Sequence, residues 1–91
     1  MHSLAFNARL QGSRDGMIKG IAMAKVEPDQ QEIAYRSIKE KEGVLDLYPV
    51  SGEYDFIMIV GAEDFARMNG LINEIQEGHR TIKARFIGRL R

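Results

Sequence analysis

The apolar positions of the chain change period several times, and each change marks an element. Ile18, Ile21, Met23 and Val26 stand among small residues and read as a first strand over residues 18–26. Pro28 follows at a place where a first helical turn accepts proline, and Asp29 and Glu32 are acids suited to a helix N-terminus. Ile33, Ala34 and Ile38 then recur at near-helical spacing up to Glu42-Gly43, a helix stop. Val44 to Val50 is rich in strand formers, and Pro49 within it marks an edge strand, because proline donates nothing to a central ladder. Ser51-Gly52-Glu53 makes a tight turn into Tyr54–Val60, so the two runs form a hairpin. Phe56 to Val60 is continuously apolar, which asks for cover on both faces of that strand. Over residues 63–77, Phe65, Met68, Leu71, Ile72 and Ile75 trace the apolar stripe of an amphipathic helix ended by Gly78. Thr81 to Leu90 alternates, with Ile82, Ala84, Phe86, Gly88 and Leu90 on one face and Lys83, Arg85, Ile87 and Arg89 on the other.

The resulting order is βαββαβ, two copies of strand–helix–strand. Right-handed crossovers turn that order into an α+β, ferredoxin-like fold: a four-stranded antiparallel sheet with two helices on one face. The second strand then lies at an edge, as Pro49 requires, and the first and last strands are neighbours. The helices cover one sheet face only. The third strand is apolar on both sides, and Ala22, Ala24 and Ile87 are expected to add to the uncovered face. An open apolar face implies a partner, so a homodimer or larger assembly is expected. Residues 17–91 form the domain. Residues 1–16 read either as an extra strand, from the alternation of Leu4, Phe6, Ala8 and Leu10, or as a leader before a start at Met17.

Composition narrows the function classes. With 91 residues there is room for one core. The absence of cysteine removes disulfides, thiol catalysis and thiolate-held metals together. No apolar run approaches the roughly 20 residues that span a bilayer, and Leu4-Ala5-Phe6 is too short for a signal-peptide core, so a soluble cytoplasmic protein is expected. The formal charge is zero but uneven: residues 27–77 hold twelve acids against four bases, and residues 78–91 hold five bases and no acid. A neutral chain lacks the positive field that non-specific nucleic-acid binding needs, and the basic tail reads as a charged edge strand.

Catalytic groups do not converge in the sequence. His2 and His79 have no histidine, cysteine or acid at metal-ligand spacing, and Gly12 and Gly16 make no phosphate cradle. Glu63-Asp64 fits the start of a helix without any catalysis. No cofactor, metal or enzymatic activity is expected. The one constellation with binding chemistry is Ser51-Gly52-Glu53-Tyr54-Asp55. A turn glycine leaves backbone N–H groups open to a carboxylate, Asp55 can accept from an ammonium, and Tyr54 can wall a pocket or donate through its hydroxyl. These are parts for gripping a free amino acid by its two charged ends. The same residues also read as a plain hairpin turn, with Tyr54 packed and Asp55 bonded to nearby backbone.

Gly43-Val44-Leu45-Asp46-Leu47-Tyr48, then Val50-Ser51-Gly52-Glu53-Tyr54-Asp55-Phe56, the apolar strand and Asp64 together resemble the effector domain of the Lrp/AsnC transcription regulators, over about residues 18–87. The resemblance implies a domain that dimerises through its sheets, assembles into octamer-like rings, and holds an effector, usually an amino acid, near Gly52, Tyr54 and Asp55, with Ser51 and Glu53 as turn neighbours. Full-length members carry a helix-turn-helix of some sixty residues, which residues 1–16 are too short to encode, so no direct DNA binding is expected. The family's last strand often starts with hydroxyl residues lining the effector site. Here Thr81-Ile82-Lys83-Ala84 has Ile82 and Ala84 in their place, which points away from an ordinary amino acid. The expected function is a ligand-binding regulatory domain that modulates transcription indirectly, through full-length relatives. The alternatives are a ligand-free oligomerisation partner and a small dimeric α+β enzyme, between which the fold does not choose.

Overall fold

The computed structural model describes residues 17–78 and 80–91. Six elements follow in order: β1 Ile18–Val26, α1 Gln31–Lys39, β2 Val44–Pro49, β3 Phe56–Ala62, α2 Phe65–Gln76 and β4 Thr81–Arg89. The strands form one antiparallel sheet in the order β2-β3-β1-β4. This is the expected βαββαβ arrangement, with Pro49 on an edge strand and β1 beside β4. The reading of residues 1–16 lies outside the described residues, as does His79.

Alternation builds the core. Ala22, Ala24 and Val26 of β1 and Phe56, Met58 and Val60 of β3 point to the same side, where Ala34 and Ile38 of α1 and Met68, Leu71, Ile72 and Ile75 of α2 close over them. Leu47 joins from β2, and Ala84 and Phe86 pack against the cluster from β4. Ala22 and Ala24 therefore lie on the helix-covered face and not, as expected, on the open one. The open face of β1 is made by their neighbours Ile21 and Met23, which pair with Ile59 and Ile57 of β3. All four are only half-buried, so the second cover that Phe56–Val60 asked for does not come from the described residues.

Each helix departs from its expected start for a local reason. Pro28 and Asp29 form a turn, with Asp29 in the left-handed region at φ 66°, so α1 begins at Gln31. Its start has no side-chain cap. The carboxylate of Asp64, by contrast, accepts from the Arg67 N–H at 2.8 Å and starts α2 one residue later, at Phe65. The first residue of each expected apolar stripe, Ile33 and Phe65, is exposed; burial begins at the next residue, Ala34, in α1 and one turn further in, at Met68, in α2. Strand β4 has two register shifts, opposite Ile21/Ala22 and Lys25/Val26; the second leaves Ile82 about half exposed, at 47%, where the covered face was expected, while Ile87, expected on the uncovered face, is 51% exposed. The amide of Gln76 compensates one of these, donating to the Ile82 carbonyl at 3.3 Å and accepting from the Ala84 N–H at 2.6 Å.

Candidate functional site

The β2–β3 connection folds over the end of the sheet where β1 finishes and β4 begins. Gly52 has φ 130°, a conformation that costs an L side chain dearly, yet a Cβ there would meet nothing within 4 Å. Backbone geometry, not crowding, requires the glycine. The connection is then fastened at Asp55, whose carbonyl accepts from the Val50 N–H and whose N–H donates to the Ala24 carbonyl, both at 2.9 Å. The side chain adds a third link: Asp55 Oδ2 accepts from the Val26 N–H at 2.9 Å. A carboxylate with one oxygen so engaged still has its second oxygen for another donor.

Tyr54 is buried at 9% exposure but stands apart from the contiguous core cluster under the helices. Its ring lies 5.9 Å from the ammonium of Lys83. Glu53 contributes its main chain, the carbonyl accepting from Lys25 Nζ at 3.3 Å, while Ser51, Gly52 and Glu53 are themselves exposed. Of the five residues singled out in the sequence, the fold thus brings Tyr54 and Asp55 against the sheet and leaves Ser51, Gly52 and Glu53 at the surface beside them.

Sequence reasoning missed the two lysines. Lys25 and Lys83 are direct partners across the β1–β4 ladder, with Met23 and Arg85 the second pair beyond them. The signal was available: the alternation of β4 already set Lys83 and Arg85 on one face, and the topology already made β1 its neighbour. Concavities among the described residues include a cationic depression at Met17, Lys19, Arg89, Leu90 and Arg91. Another, of about 50 Å³, is closed by Ile38, Ile75 and Thr81 among others. At the turn itself Ser51, Gly52 and Glu53 lie open at the surface. Among the described residues no three His, Cys, Asp or Glu side chains are grouped to hold a metal ion. Among them, too, no helix is long and apolar enough to cross a membrane.

Solved structures share this architecture. TTHA0845 from Thermus thermophilus superposes with a TM-score of 0.74 at 17% identity, covering 81% of this chain and 94% of its own. FFRP-DM1 gives 0.74 at 16% identity, with 80% and 99% covered. The transcriptional regulator NMB0573 of Neisseria meningitidis, solved in complex with L-Met, gives 0.68 at 12% identity, with 97% and 70% covered. At these identities the likeness is one of fold. Compared by sequence with curated proteins, the chain matches none. The sequence profile of the Lrp/AsnC ligand-binding domain, however, matches residues 19–87, from the start of β1 nearly to the end of β4 and across the whole turn. The chain therefore belongs to the Lrp/AsnC family, as a ligand-binding domain of that family.

Proposed function

We propose that this domain binds a free amino acid or a close derivative at the Ser51–Asp55 turn, between copies of itself, and acts on transcription by assembling with full-length regulators of its family. The observation that carries the reading is the position of the turn. Gly52, Tyr54 and Asp55 stand at the end of an apolar sheet face that no described element of the chain covers. Ile21, Met23, Ile57 and Ile59 on that face gain free energy by association, and a second copy seated there supplies the wall that the open turn lacks. The L-Met complex of the Neisseria regulator, on the same fold, supports an amino acid as the kind of ligand. Dimers stacked through this face, and octamer-like rings built from them, are the expected assembly. The reading locates the domain in the cytoplasm.

A thermal-shift screen of the assembled protein against the twenty amino acids and their common derivatives tests this. A ligand at about 100 times its dissociation constant adds roughly 2.7 kcal/mol, an easily read shift. Asp55→Asn is the diagnostic variant, because it keeps an acceptor for the Val26 N–H and removes the charge an ammonium needs. Hits that vanish in Asp55→Asn, with folding retained, support the reading. A flat screen of a well-folded oligomer sinks it. That outcome favours a ligand-free oligomerisation partner, a reading supported by the structural use already made of the Asp55 carboxylate at Val26.

A further inference from the structure

Two like charges face each other beside the turn. Lys25 and Lys83 are directly opposed on adjacent strands, an arrangement that destabilises a sheet unless something negative lies between. Among the described residues the ion pairs are Arg36–Glu32, Lys41–Glu74, Arg67–Glu63 and Arg67–Asp64, and none involves either lysine. Their partners are instead the Glu53 carbonyl, 3.3 Å from Lys25 Nζ, and the Tyr54 ring, 5.9 Å from Lys83 Nζ. A carbonyl dipole and a ring face orient an ammonium group without neutralising it. Both partners belong to the turn, so the cations are drawn toward it. Arg85, two pairs along, adds a third positive charge to the same face.

We infer that the ligand of this turn carries a second negative group in addition to its α-carboxylate. The inference rests on the reading that the turn takes an amino acid, and it names the class: an acidic amino acid or acidic derivative. Its distal anion lies between the ammonium groups of Lys25 and Lys83. Its own ammonium meets the free oxygen of Asp55, and its α-carboxylate meets the backbone N–H groups around Gly52. A neutral side chain in the same place desolvates two cations and returns no charge to them, which costs free energy. An anion replaces two uncompensated charges with charge-assisted hydrogen bonds, the stronger kind. Carboxylate and phosphate both satisfy this chemistry.

Isothermal titration of the native assembly distinguishes them. L-Aspartate, L-glutamate and O-phospho-L-serine are compared with the neutral L-asparagine, L-glutamine and L-leucine. The expected result is at least one acidic ligand binding about tenfold or more tightly than its neutral counterpart, a gap of about 1.4 kcal/mol. Lys25→Gln and Lys83→Gln, checked for unchanged size and circular dichroism, are each expected to bring that ratio close to one. The winning acid says whether the distal group is carboxylate or phosphate. A neutral amino acid that binds as well as any acid overturns the inference. So does an acidic preference that survives both lysine substitutions. If a neutral ligand binds and is lost in Asp55→Asn, the inference falls while the amino-acid reading of the turn stands. If no amino acid of either kind produces heat, both fall together.

Discussion

The two faces of the sheet come from the same strands and the same alternation, one residue out of step. On the helix side Ala22, Ala24, Phe56, Met58 and Val60 are 2% exposed or less. On the other side their immediate neighbours Ile21, Met23, Ile57 and Ile59 are as apolar and remain partly exposed. Hydrophobicity alone does not separate the faces; what separates them is whether a described element of the chain lies over each. The described residues of this 91-residue chain form two short helices, and both go to one side. Burial of the first face is therefore intramolecular and independent of concentration. Burial of the second, under the assembly proposed above, is a matter of mass action.

Substitutions on each face should expose that difference. Phe56→Ala, on the covered face, is expected to cost about 3–5 kcal/mol, the same at every protein concentration, in chemical denaturation. Ile57→Lys, on the adjacent residue, is expected to leave the folded chain intact but to weaken self-association about 100-fold or more, roughly 2.7 kcal/mol, by placing an unpaired charge in the contact. Sedimentation then reports smaller particles, and a midpoint that no longer rises with concentration. An Ile57→Lys protein that keeps its size removes the open face from the assembly. Gly20→Ala tests how tightly the covered side is filled. A Cβ there presses on the Phe86 ring and comes within 3.0 Å of the Gly88 carbonyl oxygen, so a loss of about 1–3 kcal/mol is expected. Asp64→Ala is the mildest: it removes the only side-chain cap on the two covering helices, for a loss of about 1 kcal/mol read as a lower melting temperature.

How far the sequence led depended on the kind of information each element carried. Strand β1 emerged with its observed limits because its large residues punctuate a run of small ones. Its facing was misjudged at Ala22 and Ala24, since alanine sits equally well under a helix or under a partner. The edge position of β2 was legible from Pro49, whose chemistry admits few alternatives. Strand β4 misled at Ile82, because a bulge shifts the alternation without leaving a mark in the residue types. The start of α1 was lost to the left-handed Asp29, a conformation that the residue tolerates but does not announce.

The candidate site divides in the same way. Gly52 and its neighbours were visible as a turn. The bond from the Val26 N–H to Asp55 joins residues 29 apart in sequence and exists only once β3 pairs with β1. Lys25 and Lys83 became neighbours through the pairing of β1 with β4, and neither is notable along the chain. Local chemistry was readable; chemistry made by juxtaposition required the topology first.

That single bond between Val26 and Asp55 also gives the molecule a reporter. The Val26 amide proton ends on the carboxylate, so its exchange with deuterated solvent counts how often the turn lifts from the strand. A ligand that recruits only the free oxygen pins the turn down and slows that exchange. One that pulls the carboxylate away releases the proton and quickens it. Occupancy and the fraying of β1 are thus a single equilibrium, and one nuclear resonance follows both.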